Sequence, residues 1–157
     1  MAAGPIHFER GQGQQGRAWD CSLVLAKYLD KHPEEVAGKG VLELGCGVGL
    51  PGVAAAVVGA EEVTLTDMAV GLPAIERTIE LNPAIAGRLS GRVLHWGDEA
   101  AASRLLALRQ HPVSVILCSD LLYGDGAPAA AGGSEIRGWG RGRRSRWLGP
   151  RKRWRQR

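Results

Sequence analysis

The sequence contains little that would cross-link it, anchor it in a membrane or export it. Its three cysteines, Cys21, Cys46 and Cys118, are odd in number, lie far apart and include no C-x-x-C pair. Neither a disulfide framework nor a zinc site is indicated. The opening stretch MAAGPIHFERGQGQQG has no basic region followed by an apolar one. Nowhere do apolar residues run unbroken for the ~18 positions that a membrane span requires. The four histidines form no spacing pattern, and no metal is expected. These absences lead to the expectation of a soluble chain in a reducing compartment, most simply the cytoplasm, with the nucleus also open.

What is present is 157 residues at 45% hydrophobic content, which is ordinary for one globular domain. Charge is divided unevenly. Residues 1–123 hold 10 Lys/Arg against 14 Asp/Glu, whereas residues 124–157 hold 10 against 2. A mildly acidic domain followed by a basic, low-complexity tail is the simplest reading. We expect a flexible segment over 1–17, a domain over 18–123 and a disordered tail over 124–157.

Within the acidic part, apolar spacing predicts a helix from Cys21 to Lys31, ended by Pro33 and the glycines at 38 and 40. VLEL reads as a buried strand. LPGVAAAVVGA has the small residues of a helix packed tightly on a sheet, with Gly59 as its cap. EVTLTD is a second strand, and AVGLPAIERTIELN a helix stopped by Asn82 and Pro83. GRVLHWGD is a third strand, EAAASRLLALRQH a helix and VSVILCSD a fourth strand. Strand and helix alternate four times, which predicts an α/β fold with a parallel sheet and helices on both faces.

In such sheets ligands sit at the carboxyl ends of the strands, and here VLEL runs into Gly45, Gly47 and Gly49. A dinucleotide loop wants G-x-G-x-x-G, but Leu50 stands where its third glycine belongs. No Lys-Ser/Thr pair follows, which excludes a phosphate-cradling P-loop. Glu43 lies two residues before Gly45, and Asp67 closes the second strand, where a carboxylate can take both hydroxyls of a ribose. A nucleoside without phosphate and with a cationic amino-acid end fits this set. Taken one at a time, each feature also has a plainer reading: a tight turn for the glycines, core filling for Trp19 and Trp96.

Several segments together resemble the class I, seven-stranded S-adenosylmethionine-dependent methyltransferases, and more narrowly their protein-lysine methyltransferase branch. They are Trp19-Asp20 leading into SLVLAKYL, then VLELGCGVGLPG, VTLTDMAVGLPAIERTIELN, HWGD and CSDLLY, covering about Ala18 to Tyr123. The resemblance implies a Rossmann-like sheet ordered 3-2-1-4, S-adenosyl-L-methionine as cofactor and a protein substrate presenting a lysine. It implies that Gly45, Cys46 and Gly47 lie along the methionine part of the cofactor, with Glu43 supporting their loop. It also implies that Asp67 holds the ribose, Trp96 flanks the adenine, Trp19 covers the site and Ser119 touches the cofactor. Asp120 and Tyr123, the ends of DLLY, match the D-x-x-Y motif placed around the incoming lysine.

The resemblance stops at the tail. The family continues with a helix and three more strands, whereas residues 124–157 give Gly, Ala and Pro, then Arg interspersed with Trp139, Trp147 and Trp154. An alternatively spliced or frame-shifted C-terminus is expected, leaving the last family strands missing, the fourth strand at an exposed edge and activity reduced or lost. Two other functions compete with the methyltransferase reading. One is a non-catalytic module whose Arg/Trp-rich tail contacts nucleic acid. The other is a dehydrogenase, which Leu50 disfavours.

Overall fold

The structure, a computed structural model, describes residues 5–9, 16–121 and 146–148. Helix α1 spans Asp20–Lys31 and buries Ser22, Leu25 and Leu29 along one stripe. After it come β1 (Gly40–Leu44), α2 (Leu50–Val57), β2 (Glu62–Asp67), α3 (Leu72–Glu80), β3 (Leu89–Val93), α4 (Glu99–Ala107) and β4 (Val113–Cys118). The strands pair in parallel in the expected order β3-β2-β1-β4.

Side-chain alternation along the strands builds two cores. Val41, Val63, Leu65, Val115 and Leu117 join Leu25, Leu29, Val53 and Ile75 in a cluster beneath α1, α2 and α3. On the opposite face Leu42, Leu94 and Leu105 form a smaller cluster under α4. Period-2 alternation explains why Val41 and Leu42, adjacent in sequence, serve different cores. Helix α2 approaches the sheet so closely that a Cβ on Gly52 would lie 2.2 Å from Leu65 Cδ2. That contact accounts for its run of glycine, alanine and valine. The helix is capped at Val58, one residue before the expected Gly59, which follows in a left-handed turn at φ 106°.

Other boundaries shift for local reasons. β3 begins at Leu89, earlier than expected, and ends at Val93, after which the chain leaves the sheet for a turn at Gly97. α4 stops at Ala107 rather than running on to His111. There Arg109 turns back to donate to the Glu62 carbonyl at 3.1 Å, and His111 N donates to the Glu62 carboxylate at 2.7 Å.

Two expectations are corrected. β4 is not the open edge: a fifth strand, β5 (Arg146–Leu148), pairs with it in parallel, Val115 opposite Arg146 and Leu117 opposite Leu148. Backbone pairing satisfies the groups an open edge would leave bare, even where the side-chain pattern carries no strand signal. At the other end, residues 5–9 are not free, although they fall in the segment expected to be flexible. Ile6 packs on the main core. His7 N donates to Asn82 Oδ1 at 3.1 Å, Asn82 Nδ2 donates to the His7 carbonyl at 2.6 Å, and Arg77 pairs with Glu9 at 2.7 Å.

Candidate functional site

At the carboxyl ends of the strands lies a cavity of about 310 Å³, at the lower end of the size range of small-molecule sites. Its wall is built by the loop after β1 (Gly45, Cys46, Gly47), the end of β2 (Asp67, Met68) and the segment after β3 (Leu94, His95, Trp96). The segment after β4 (Ser119, Asp120, Leu121) and the start of α1 (Trp19, Ser22) complete it.

The loop is held open by backbone geometry. Gly45, Gly47 and Gly49 take φ of 55°, 55° and 74°, a left-handed conformation that side chains resist. A Cβ on Gly45 would stand 2.7 Å from Leu121 Cδ2 and 3.0 Å from Trp96 Cζ2, so at this point glycine is also required for space. Hydrogen bonds then fix the loop to its neighbours. Cys46 N donates to the Thr66 carbonyl at 2.9 Å, and Gly47 N to Asp67 Oδ2 at 2.8 Å. The other carboxylate oxygen of Asp67 accepts from Met68 N at 2.7 Å. Since a carboxylate has about four acceptor positions, Asp67 keeps capacity on both oxygens for ligand hydroxyls.

Glu43 is 1% exposed and does not line the cavity. It lies beneath the loop, where its Oε2 accepts from Gly52 N at 2.7 Å, inside the first turn of α2. Burial pushes its carboxyl up to about 8, opposed by the Gly52 hydrogen bond and reinforced by the nearby Asp67 charge. Glu43 is thus bonded to the start of α2 beneath the loop. That position leaves no part for this carboxylate in meeting a cationic ligand directly. Burial likewise raises the Cys46 thiol well above its ordinary value, helped by Glu43 and Asp67, so the thiol stays protonated and acts as an apolar wall.

The other side of the cavity is made differently. Ser119 Oγ and Ser22 Oγ lie 3.3 Å apart, tying the segment after β4 to α1. Asp120 has φ 56°, the sole non-glycine residue at positive φ among the described residues. Arg17 stacks over the Trp19 ring at 4.9 Å. Among the described residues lining the cavity there are two carboxylates, Asp67 and Asp120, and no Lys or Arg.

The structure thus brings Trp19, Gly45, Cys46, Gly47, Asp67, Trp96, Ser119 and Asp120 to one cavity. Tyr123 lies outside the described residues. Ser22, Met68, Leu94, His95 and Leu121 also line it but were not singled out from sequence. Ser22 carried one usable signal, since it lies in the first turn of the helix that Trp19 precedes. No group of three or more His, Cys, Asp or Glu able to hold a metal occurs among the described residues.

Comparison with known proteins adds an independent line. The model of the lysine methyltransferase family matches residues 5–128. The mouse protein N-lysine methyltransferase METTL21A is 34% identical over 116 residues, covering 73% of this chain and 50% of the relative. Mouse EEF1A lysine methyltransferase 3 is 38% identical over 85 residues, 54% of this chain and 36% of the relative. The histone-arginine methyltransferase METTL23 of Xenopus laevis is 40% identical over 108 residues, 67% and 43% respectively. The chain spans half or less of the length of these relatives. A match over most of this chain, falling on the same segments that converge on one cavity, makes it a member of the lysine methyltransferase family.

Proposed function

We propose that this chain binds S-adenosylmethionine in the cavity at the strand ends and transfers its methyl group to a lysine side chain of a protein. The observation that carries this reading is the wall itself: a bare glycine arc, two tryptophan rings and two carboxylates, with no Lys or Arg among the described lining residues to receive a phosphate. That set fits an adenosine joined to a cationic amino acid better than it fits a dinucleotide. Asp67 would take the ribose hydroxyls with its remaining acceptor positions, Trp96 and Trp19 would cover the flat part, and Gly45 to Gly47 would leave room for the methionine part. Ser119 would meet the same ligand from β4. Bound there, S-adenosylmethionine supplies an electrophilic methyl group on a sulfonium.

The chain's own contribution is positioning, which can supply most of the acceleration of an in-line transfer. The attacking amine must be neutral, although a free lysine has a pKa of about 10.4. Asp120, exposed at the cavity, would accept a hydrogen bond from the amine and aim it. Tyr123 would line the entry of the acceptor, as the D-x-x-Y motif implies. Family membership favours this catalytic reading over a nucleic-acid module, whose tail residues 124–157 are described only at 146–148.

Arginine as acceptor is the second reading, favoured by the 40% identity to a histone-arginine methyltransferase. A single experiment separates the two. The full chain is incubated with tritiated S-adenosylmethionine and a cell extract, and the label is located by amino-acid analysis. Label on lysine supports the proposal, and label on arginine replaces it. Asp120→Ala should lower incorporation by about 100-fold while cofactor binding stays within about threefold; unchanged incorporation would refute the role given to Asp120.

A further inference from the structure

The cofactor loop and the segment that carries Asp120 belong to different strands, yet they touch at one point. Leu121 Cδ2 stands where a side chain on residue 45 would begin, 2.7 Å from an ideal Cβ on Gly45, and Trp96 Cζ2 lies 3.0 Å from the same point. Leu121 is half-buried and, like Ser119 and Asp120, lines the cavity. Three consecutive residues of an extended chain cannot all face one way, because side chains alternate. Here the left-handed turn at Asp120, φ 56°, breaks the alternation and folds Leu121 back over the glycine loop.

We infer that Leu121 is a positioning residue: its approach to Gly45 transmits occupancy of the cofactor loop to Asp120. The inference rests on the proposed cofactor reading and adds a route from that site to the acceptor side. Ser22 holds Ser119 from α1 and Leu121 leans on the glycine loop, so Asp120 lies between two anchored neighbours. When the loop and Trp96 are fixed by a ligand, the face against which Leu121 packs is fixed too, and the strained Asp120 backbone is held in its left-handed conformation. Misplacement of about 1 Å at a reacting group costs about 100-fold in rate, so a contact of this kind matters to transfer although Leu121 carries no reacting group. Leucine suits the position because its branched end fills the space that glycine leaves. Alanine would retract the contact and free the turn.

Hydrogen exchange of the full chain, with and without S-adenosylhomocysteine, tests this on the backbone itself and needs no acceptor. In the wild-type chain the ligand should slow exchange about tenfold both at 45–49 and at 120–121. In Leu121→Ala the slowing at 45–49 should persist while that at 120–121 falls to less than about twofold; Leu121→Met should keep both. Equal slowing at 120–121 in Leu121→Ala would overturn the inference. Should Leu121→Ala not fold, Leu121→Val takes its place, with partial loss at 120–121 expected and full retention contradicting. No slowing at 45–49 in the wild-type chain would instead remove the cofactor reading, so the two failures are distinguishable.

Discussion

The two walls of the cavity are held by different means. On the loop wall, Glu43, Thr66, Asp67, Cys46, Gly47 and Gly52 form a closed set of buried hydrogen bonds between 2.6 and 2.9 Å. On the acceptor wall, Ser119 is tied to Ser22 at 3.3 Å, Asp120 sits at positive φ and Leu121 leans on a glycine. The first arrangement leaves little slack and suits a ligand that must be bound the same way each time. The second stores strain and depends on apolar contact, which suits a surface that a second substrate has to enter. Changes on the loop wall should therefore appear first as lost stability, and changes on the acceptor wall as lost function.

The largest effect should follow Gly52→Ala. Its Cβ would meet Leu65 Cδ2 at 2.2 Å and Glu43 Oε2 at 2.6 Å, both fixed by packing. The expected cost is about 3 kcal/mol in denaturant unfolding, and a cost below about 1 kcal/mol would show that the loop wall has slack after all. Glu43→Gln is expected to change the pH dependence rather than the shape. The Glu43 carboxyl titrates near 8 in the folded chain and near 4.5 when unfolded, so folding takes up a proton between those values. Its contribution is full below 4.5 and is lost as pH rises towards 8, at up to about 1 kcal/mol per pH unit. The glutamine variant should flatten that slope in melts at several pH values.

On the acceptor wall Asp120 separates backbone from carboxylate. Asp120→Gly accepts φ 56° without strain and should leave stability within about 1 kcal/mol, while Asp120→Ala should cost about 1 kcal/mol. Both should lose the proposed methyl transfer, and stability loss without activity loss in either would invert the comparison. Ser22→Ala gives the smallest effect, about 0.5 kcal/mol, since it removes one long hydrogen bond that is only partly buried.

Much of the loop wall was legible in the sequence. Its glycines, its strand and the carboxylate at the end of EVTLTD are local signals, and each fell where the spacing placed it. Glu43 was legible as a residue but not as an orientation: strand alternation and the depth of α2 decide that it points under the loop. The acceptor wall was legible only through family resemblance. Ser22 and Ser119 are 97 positions apart and meet only in the folded chain. Leu121 matters because of a backbone angle at its neighbour, which no apolar pattern encodes. β5 was missed for a related reason, since a three-residue strand in an arginine-rich stretch is specified by the backbone of β4 rather than by its own alternation.

The central claim is that the cavity is a cofactor site. Calorimetric titration of the full chain with S-adenosylhomocysteine, beside Asp67→Ala and Trp96→Ala, tests it most directly. We predict saturable binding that either substitution weakens by at least about tenfold, with both variants still showing a cooperative melt. A folded wild-type chain that takes up no S-adenosylhomocysteine would contradict the account.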